Sequence, residues 1–209
     1  MKSMLCKQAV GMVVQSVLLV NSHLGQAQPK PKPPAALGVI CWQEGVKLRW
    51  KDFEAGSAVA MASLLDVRVG ACSATEVAVL PYTDARGKGN FLVESFFVKS
   101  RSWVRDSASV FNRVVLAHEQ VHFDINELFA RKVRRVVAQY YQAGRYLFGP
   151  ELSREIRRLL DEKTIFNAAF DQEAYLDPSG RAVDKWQALV SHELATLSAY
   201  KSSAATCGQ

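Results

Sequence analysis

The residues best placed to do chemistry lie in Val115-Leu116-Ala117-His118-Glu119-Gln120-Val121-His122-Phe123-Asp124-Ile125-Asn126-Glu127. His118-Glu119-x-x-His122 is the spacing of a zinc site carried on one helix. At 100° per residue the two histidines point within about 40° of each other, one turn apart. Two imidazoles so placed can share one metal ion. Glu119 falls between them in direction, close enough to polarise a water on that ion. The competing reading is a pair of core histidines on an apolar face; the Glu in the intervening place favours zinc. The rhythm of Phe111, Val114, Val115, Val121, Ile125, Leu128, Phe129, Val133 and Val136 is helical.

A catalytic zinc takes three protein ligands and keeps a fourth position for water. Glu127 points roughly 180° from His118, so it cannot close the site and is expected to pair with Arg131 at i+4. Asp124 also points away and is expected to hold a neighbouring segment. No Gly and third His follow at the short metzincin spacing. The third ligand must come from elsewhere in the chain.

The helices suggest where. Ser107 or Ser109 can cap the active helix, which runs to about Tyr141 and ends at Gly144. Pro150 opens a second helix reaching about Tyr175. Asp177-Pro178-Ser179-Gly180 breaks the chain, and a third helix runs from about Ala182 to Tyr200. The short break between the first two predicts an antiparallel pair. Residues late in the second helix then return beside the histidines, and Asp171 and Glu173 are the candidates. They differ by about 200° in direction, so a regular helix turns only one of them to the ion. Phase does not choose, since each flanks the stripe of Ile156, Leu159, Phe166 and Phe170. Glu173 has the longer reach, and Asp177 would then orient a histidine. His192 is a further candidate, against its plainer reading as a partly exposed helix histidine. Tyr175, one turn beyond Asp171, is the expected oxyanion partner, with packing as the competing role.

From Val39 to Val104 the sequence reads as β. Val46-Lys47-Leu48-Arg49-Trp50 alternates, 53–57 can turn, and Val59 to Val69 and Glu76 to Tyr82 are apolar runs. Residues 84–90 are a turn by composition, and Phe91 to Lys99 is a fourth strand. Together they predict a small twisted sheet, mainly antiparallel, with 91–99 as an edge on which an extended peptide can add. Cys41 and Cys72 sit symmetrically about Gly56, which predicts a disulfide between them and leaves Cys207 free in a frayed tail. None of the three has a neighbour at ligand spacing, which argues against cysteine metal sites.

Residues 1–27 read as a signal peptide: Lys2 and Lys7, an apolar run from Ala9 to Val20, and Gly25-Gln26-Ala27 for cleavage. Residues 28–38 form a Pro-rich linker, with four prolines in six residues favouring an extended tether. The remaining 39–209 suffices for one domain. No later segment suits a membrane span, so none is expected after cleavage. The chain carries formal charge +6, and removing Lys2 and Lys7 leaves +4. Arg131, Lys132, Arg134 and Arg135 read as a solvated helix face. Few aromatics interleave with them, which argues against nucleic acid. Attraction to anionic envelope surfaces or acidic substrates fits the charge.

His118-Glu119-Gln120-x-His122-Phe123-Asp124-Ile125-x-Glu127 resembles the signature of a bacterial family of predicted secreted zinc-dependent proteases, grouped with the zincin metallopeptidases. Leu48-Arg49-Trp50-Lys51-Asp52-Phe53 resembles the family's Leu-x-Trp-x-Asp-Phe, and Ser102-Trp103-Val104 its Ser-Trp-Val. Phe170-Asp171-x-Glu173 resembles its Tyr-Asp-x-Glu-Thr, and Trp186 a later Trp. The chain carries Ala174 and Leu176 where the family has Thr and His. The resemblance spans about residues 40–200 and implies Asp171, rather than Glu173, as third ligand.

The expectation is an α+β, zincin-like fold: a small sheet, a long active helix and two further helices. The expected activity is that of an exported zinc metallopeptidase in the periplasm or outside the cell. Zn2+ would be the cofactor, a peptide or protein the substrate and Glu119 the general base. Two other readings use the same residues: an inactive zincin-like binding module of the envelope, and a metal-dependent amidase acting on cell wall.

Overall fold

The computed structural model describes residues 38–56, 70–105 and 112–202. The leader, the proline tether up to Leu37, the run 59–69, the capping serines at 107 and 109 and Cys207 lie outside them. Strand β1 is Val39–Cys41, β2 Ala71–Cys72, β3 Thr75–Thr83, β4 Gly89–Val98 and β5 Trp103–Val104. The helices are α1 Asn112–Gln142, α2 Pro150–Leu176 and α3 Arg181–Thr196. The described chain is α+β: β1-β4-β3 form one antiparallel sheet, β2 and β5 pair beside it, and three helices follow. No described helix is long and apolar enough to cross a membrane.

Helix α1 is the hub. It packs against β3 and β4 and against both other helices. Val121, Phe123, Ile125, Leu128, Ala130 and Val133 are fully buried, so it carries apolar side chains all round, as a central helix must. Its buried polar residues are each satisfied. Trp42 Nε1 and Gln120 Nε2 both donate to Asp124 Oδ1, and Gln120 Oε1 accepts the Leu48 N–H at 2.9 Å. Burial raises the Asp124 carboxyl above its ordinary range, against these two donors. Glu127 takes Arg131 as expected, and Arg134 as well. The two arginines also reach Leu194 O, Val93 O and Tyr200 O, tying α1 to α3, β4 and the chain beyond α3. The basic cluster is therefore not a solvated face. Arg135 is exposed, but Arg131 and Arg134 turn inward to a buried carboxylate.

Two strand expectations change. Residues 46–50 form no strand; a 3-10 turn follows at Trp50–Asp52. The Leu48 N–H goes to Gln120 and the Arg49 N–H to Asp52 Oδ2, so these groups serve side chains rather than a ladder. Residues 91–99 are not an edge, because β4 is the middle strand. Among the described residues the edges of this sheet are β1 and β3, and β3 is the longer. Val98 N–H bonds Ala74 O, and in an antiparallel ladder alternate residues turn outward. Counting on from Ala74, Pro81 falls in the outward set, where its missing N–H breaks no ladder bond.

The helix boundaries follow their punctuation. Gly144 takes a left-handed backbone, φ 66°, and ends α1. Pro150 opens α2. Asp177 stops α2 and accepts the Ala182 N–H at the start of α3. Helix α3 ends at Thr196, and the stretch expected to continue it to Tyr200 tightens to a 3-10 turn at Ser198–Tyr200. Cys41 and Cys72 are both disulfide-bonded.

Candidate metal centre

The antiparallel pairing of α1 with α2 brings the first turns of α1 beside the last turns of α2. His118 Nε2 and His122 Nε2 lie 3.0 Å apart, and Asp171 Oδ1 lies 3.1 Å from the first and 2.9 Å from the second. Among the described residues this is the one group of three His, Cys, Asp or Glu able to share an ion. Phe170 forms its apolar floor, stacked on His118 at 4.4 Å between centroids and edge-on to His122.

Asn167, one turn before Asp171, fixes His122. Its Nδ2 donates to Lys163 O at 3.0 Å, so Oδ1 faces the imidazole and accepts from His122 Nδ1–H at 2.7 Å. In the neutral ring the proton is then on Nδ1, and Nε2 presents its lone pair to His118 and Asp171. Three electron-rich atoms converge within hydrogen-bond distance, an arrangement that needs a cation or a proton between them. Burial works to lower the His122 pKa, but the Asp171 carboxylate, the charge of Glu119 and the Asn167 bond outweigh it and raise it to about 9. Burial likewise works to raise the Asp171 carboxyl. The two imidazoles outweigh that and hold it well below the usual carboxylate range. The donor set, two imidazole nitrogens and one carboxylate oxygen, is of a kind that can hold a divalent metal ion such as zinc.

Glu119 is buried, and its Oε2 accepts the backbone N–H of Ser73 at 2.7 Å. That bond fastens the helix to the chain just ahead of β3. Glu173 is not in the cluster. Its carboxylate accepts from Lys185 and from Trp186 Nε1, and these bonds hold its pKa below the ordinary range. Asp177 does not orient a histidine; Ser179 and Ala182 hold it at the α2–α3 turn. His192 is exposed on α3. Tyr175 is 55% exposed, one turn past Asp171.

Three participants escape a reading of the sequence: Asn167, Ser73 and Lys163. Asn167 had a signal, since the face that carries Asp171 carries it four residues earlier. Ser73 contributes a backbone N–H, which no side-chain pattern announces. Compared with protein-family models, with curated proteins and with solved structures, the chain matches none.

Proposed function

We propose that the protein is an exported, zincin-like zinc metallopeptidase. The observation that carries this reading is the convergence of His118 Nε2, His122 Nε2 and Asp171 Oδ1 from two helices, beside a buried Glu119. His118, His122 and Asp171 would hold the ion. Bound there, zinc supplies a Lewis acid that acidifies water and polarises a carbonyl. Glu119 takes the proton of the attacking water on Oε1, the oxygen not engaged by Ser73, and delivers it to the departing amine nitrogen. Ser73 keeps that carboxylate from swinging away. The outward backbone of Thr75, Val77 and Val79 offers an extended peptide a strand to pair with, starting two residues from Ser73. Tyr175 is the candidate donor to the carbonyl oxygen as charge develops on it.

Ala174 packs on the core and Leu176 is exposed, so neither belongs to the converging set. That favours an active enzyme over an inert binding module. The test is metal analysis of the purified protein, followed by digestion of a peptide library and of purified cell wall by wild type and Glu119→Gln. About one zinc per chain is expected in both. Hydrolysis of peptides should fall at least about a hundredfold in the variant. A Glu119→Gln protein that cuts as fast as wild type, or a wild type that takes up no zinc, would sink the reading. Release from cell wall without peptide cleavage would move it to the amidase.

A further inference from the structure

Below the metal centre two polar stripes face each other. On α1 they are His118, His122 and Asn126, one turn apart; on α2, Asp171, Asn167 and Lys163 run the opposite way. The antiparallel helices set them in register. Asp171 meets both histidines, Asn167 meets His122, and Lys163 Nζ donates to Asn126 Oδ1 at 2.9 Å. Asn126 is fully buried, and its Nδ2 also donates to Glu76 O of β3 and Ser95 Oγ of β4. The Lys163 ammonium thus ends where α1, α2 and the start of β3 meet.

The first two rungs serve the metal centre. The third has no such task. An ammonium offers three donors, and Lys163 uses one, on a neutral amide. Glu76 turns to Arg101, and Glu162 to Arg158. Arg131 and Arg134, the inward cations of α1, share the carboxylate of Glu127 instead. Burial pushes Lys163 down from 10.5 to about 8, with no anion among the described residues to offset it. A methionine would fill the same space without desolvating a charge, at the cost of the donor to Asn126 Oδ1. A cation kept where burial works against it marks a place for an anion. Lys163 retains partial exposure.

We propose that Lys163 is a specificity residue that receives a carboxylate of the substrate, a reading that rests on the peptidase assignment above. Eight helical residues separate it from Asp171, a rise of about 12 Å. An extended peptide spans that distance in about three or four residues. The carboxylate lies that far from the scissile bond, as an Asp or Glu side chain or as a chain terminus, and takes the donors that Asn126 leaves.

The test reads binding on zinc-loaded Glu119→Gln protein, so that peptides are not consumed. Fluorescent peptides carry Glu at successive positions, Gln in the same places, or a free or amidated C-terminus. Glu peptides, or free-terminus peptides, should bind at least about tenfold tighter than their neutral twins, as a charge-assisted contact implies. The arm that discriminates identifies the source of the carboxylate. Lys163→Met should erase the difference, and Lys163→Arg should restore it. Equal binding of acidic and neutral peptides, or a preference that survives Lys163→Met, would overturn the proposal. The two readings fail separately. A wild type that cleaves peptides with no acidic preference removes only the Lys163 subsite. Retained carboxylate discrimination in a wild type that cleaves nothing removes only the peptidase.

Discussion

In the proposed metal site Asn167 would decide which nitrogen of His122 meets the ion. Its amide cannot flip without giving up the bond to Lys163 O, so its oxygen stays on Nδ1 and holds the ring in the tautomer a metal needs. Removing such a partner lowers metal affinity about 10–100-fold. Asn167→Ala should do so in a zinc-competition titration, while Asn167→Asp, which still accepts from Nδ1–H, should stay near wild type. In the same titration Asp171→Ala should lose far more affinity than Glu173→Ala, because Glu173 faces Lys185 and Trp186. Lys163 gives a pH signature of its own. Its folded pKa, about 8, is below its ordinary 10.5, so between those values the unfolded chain binds more protons there. The stability it contributes is full above pH 10.5 and lost as pH falls through 8. The groups around it are the neutral Asn126 and Asn167, Glu76 paired to Arg101, and His122 on the neighbouring rung. Lys163→Met, which also strips Asn126 Oδ1 of its donor, should therefore gain on wild type in urea midpoint as pH falls from 10.5 to 7. An unchanging gap would mean that the ammonium is not desolvated. His118, Glu119 and His122 were legible because their spacing is local to one helix. Asp171 needed both the antiparallel argument and the resemblance.

At the scale of elements, the signature around the histidines is mostly scaffolding. Gln120 and Asp124 hold the segment from Trp42 to Leu48, Asn126 holds the start of β3, and Glu127 holds two arginines. One helix thus fixes the sheet and the other helices together. Its helical rhythm was readable, as were Gly144, Pro150 and the 177–180 break, because punctuation is a local property. The alternation at 46–50 misled for a physical reason: its backbone donors are claimed by Gln120 and Asp52, a tertiary fact. The position of β4 misled because strand order is set by β1 pairing across about 55 residues of chain. Glu127 is the test of this scaffold. Removing one partner of a buried ionic network leaves uncompensated charge, at a cost of about 3–5 kcal/mol. Glu127→Ala should lose about that much in urea unfolding, with zinc bound or absent. A variant as stable as wild type would mean that the arginines find other partners at no cost.

For the whole molecule, the proposed metal centre would close the open end of a helical hairpin. Helices α1 and α2 are joined at Gly144–Pro150, and His118, His122 and Asp171 sit at the opposite end. Nothing covalent joins the helices there. Helix α3 braces the same end through Trp186 on Glu173, Asp177 on Ala182 and Phe170 against Trp186. A ligand that binds only the folded chain stabilises it by RT ln(1 + [L]/Kd), about 2.7 kcal/mol at a hundredfold excess over Kd. Zinc should therefore raise the melting temperature of wild type, and a chelator should remove the gain. The gain should shrink to near zero in Asp171→Ala, because the clip loses its α2 half. Limited proteolysis should place the effect: without zinc, cuts should concentrate at the 177–180 turn, where the end of α2 separates from α1 first. Equal protection of that turn with and without zinc would show that α3 alone holds the hairpin shut.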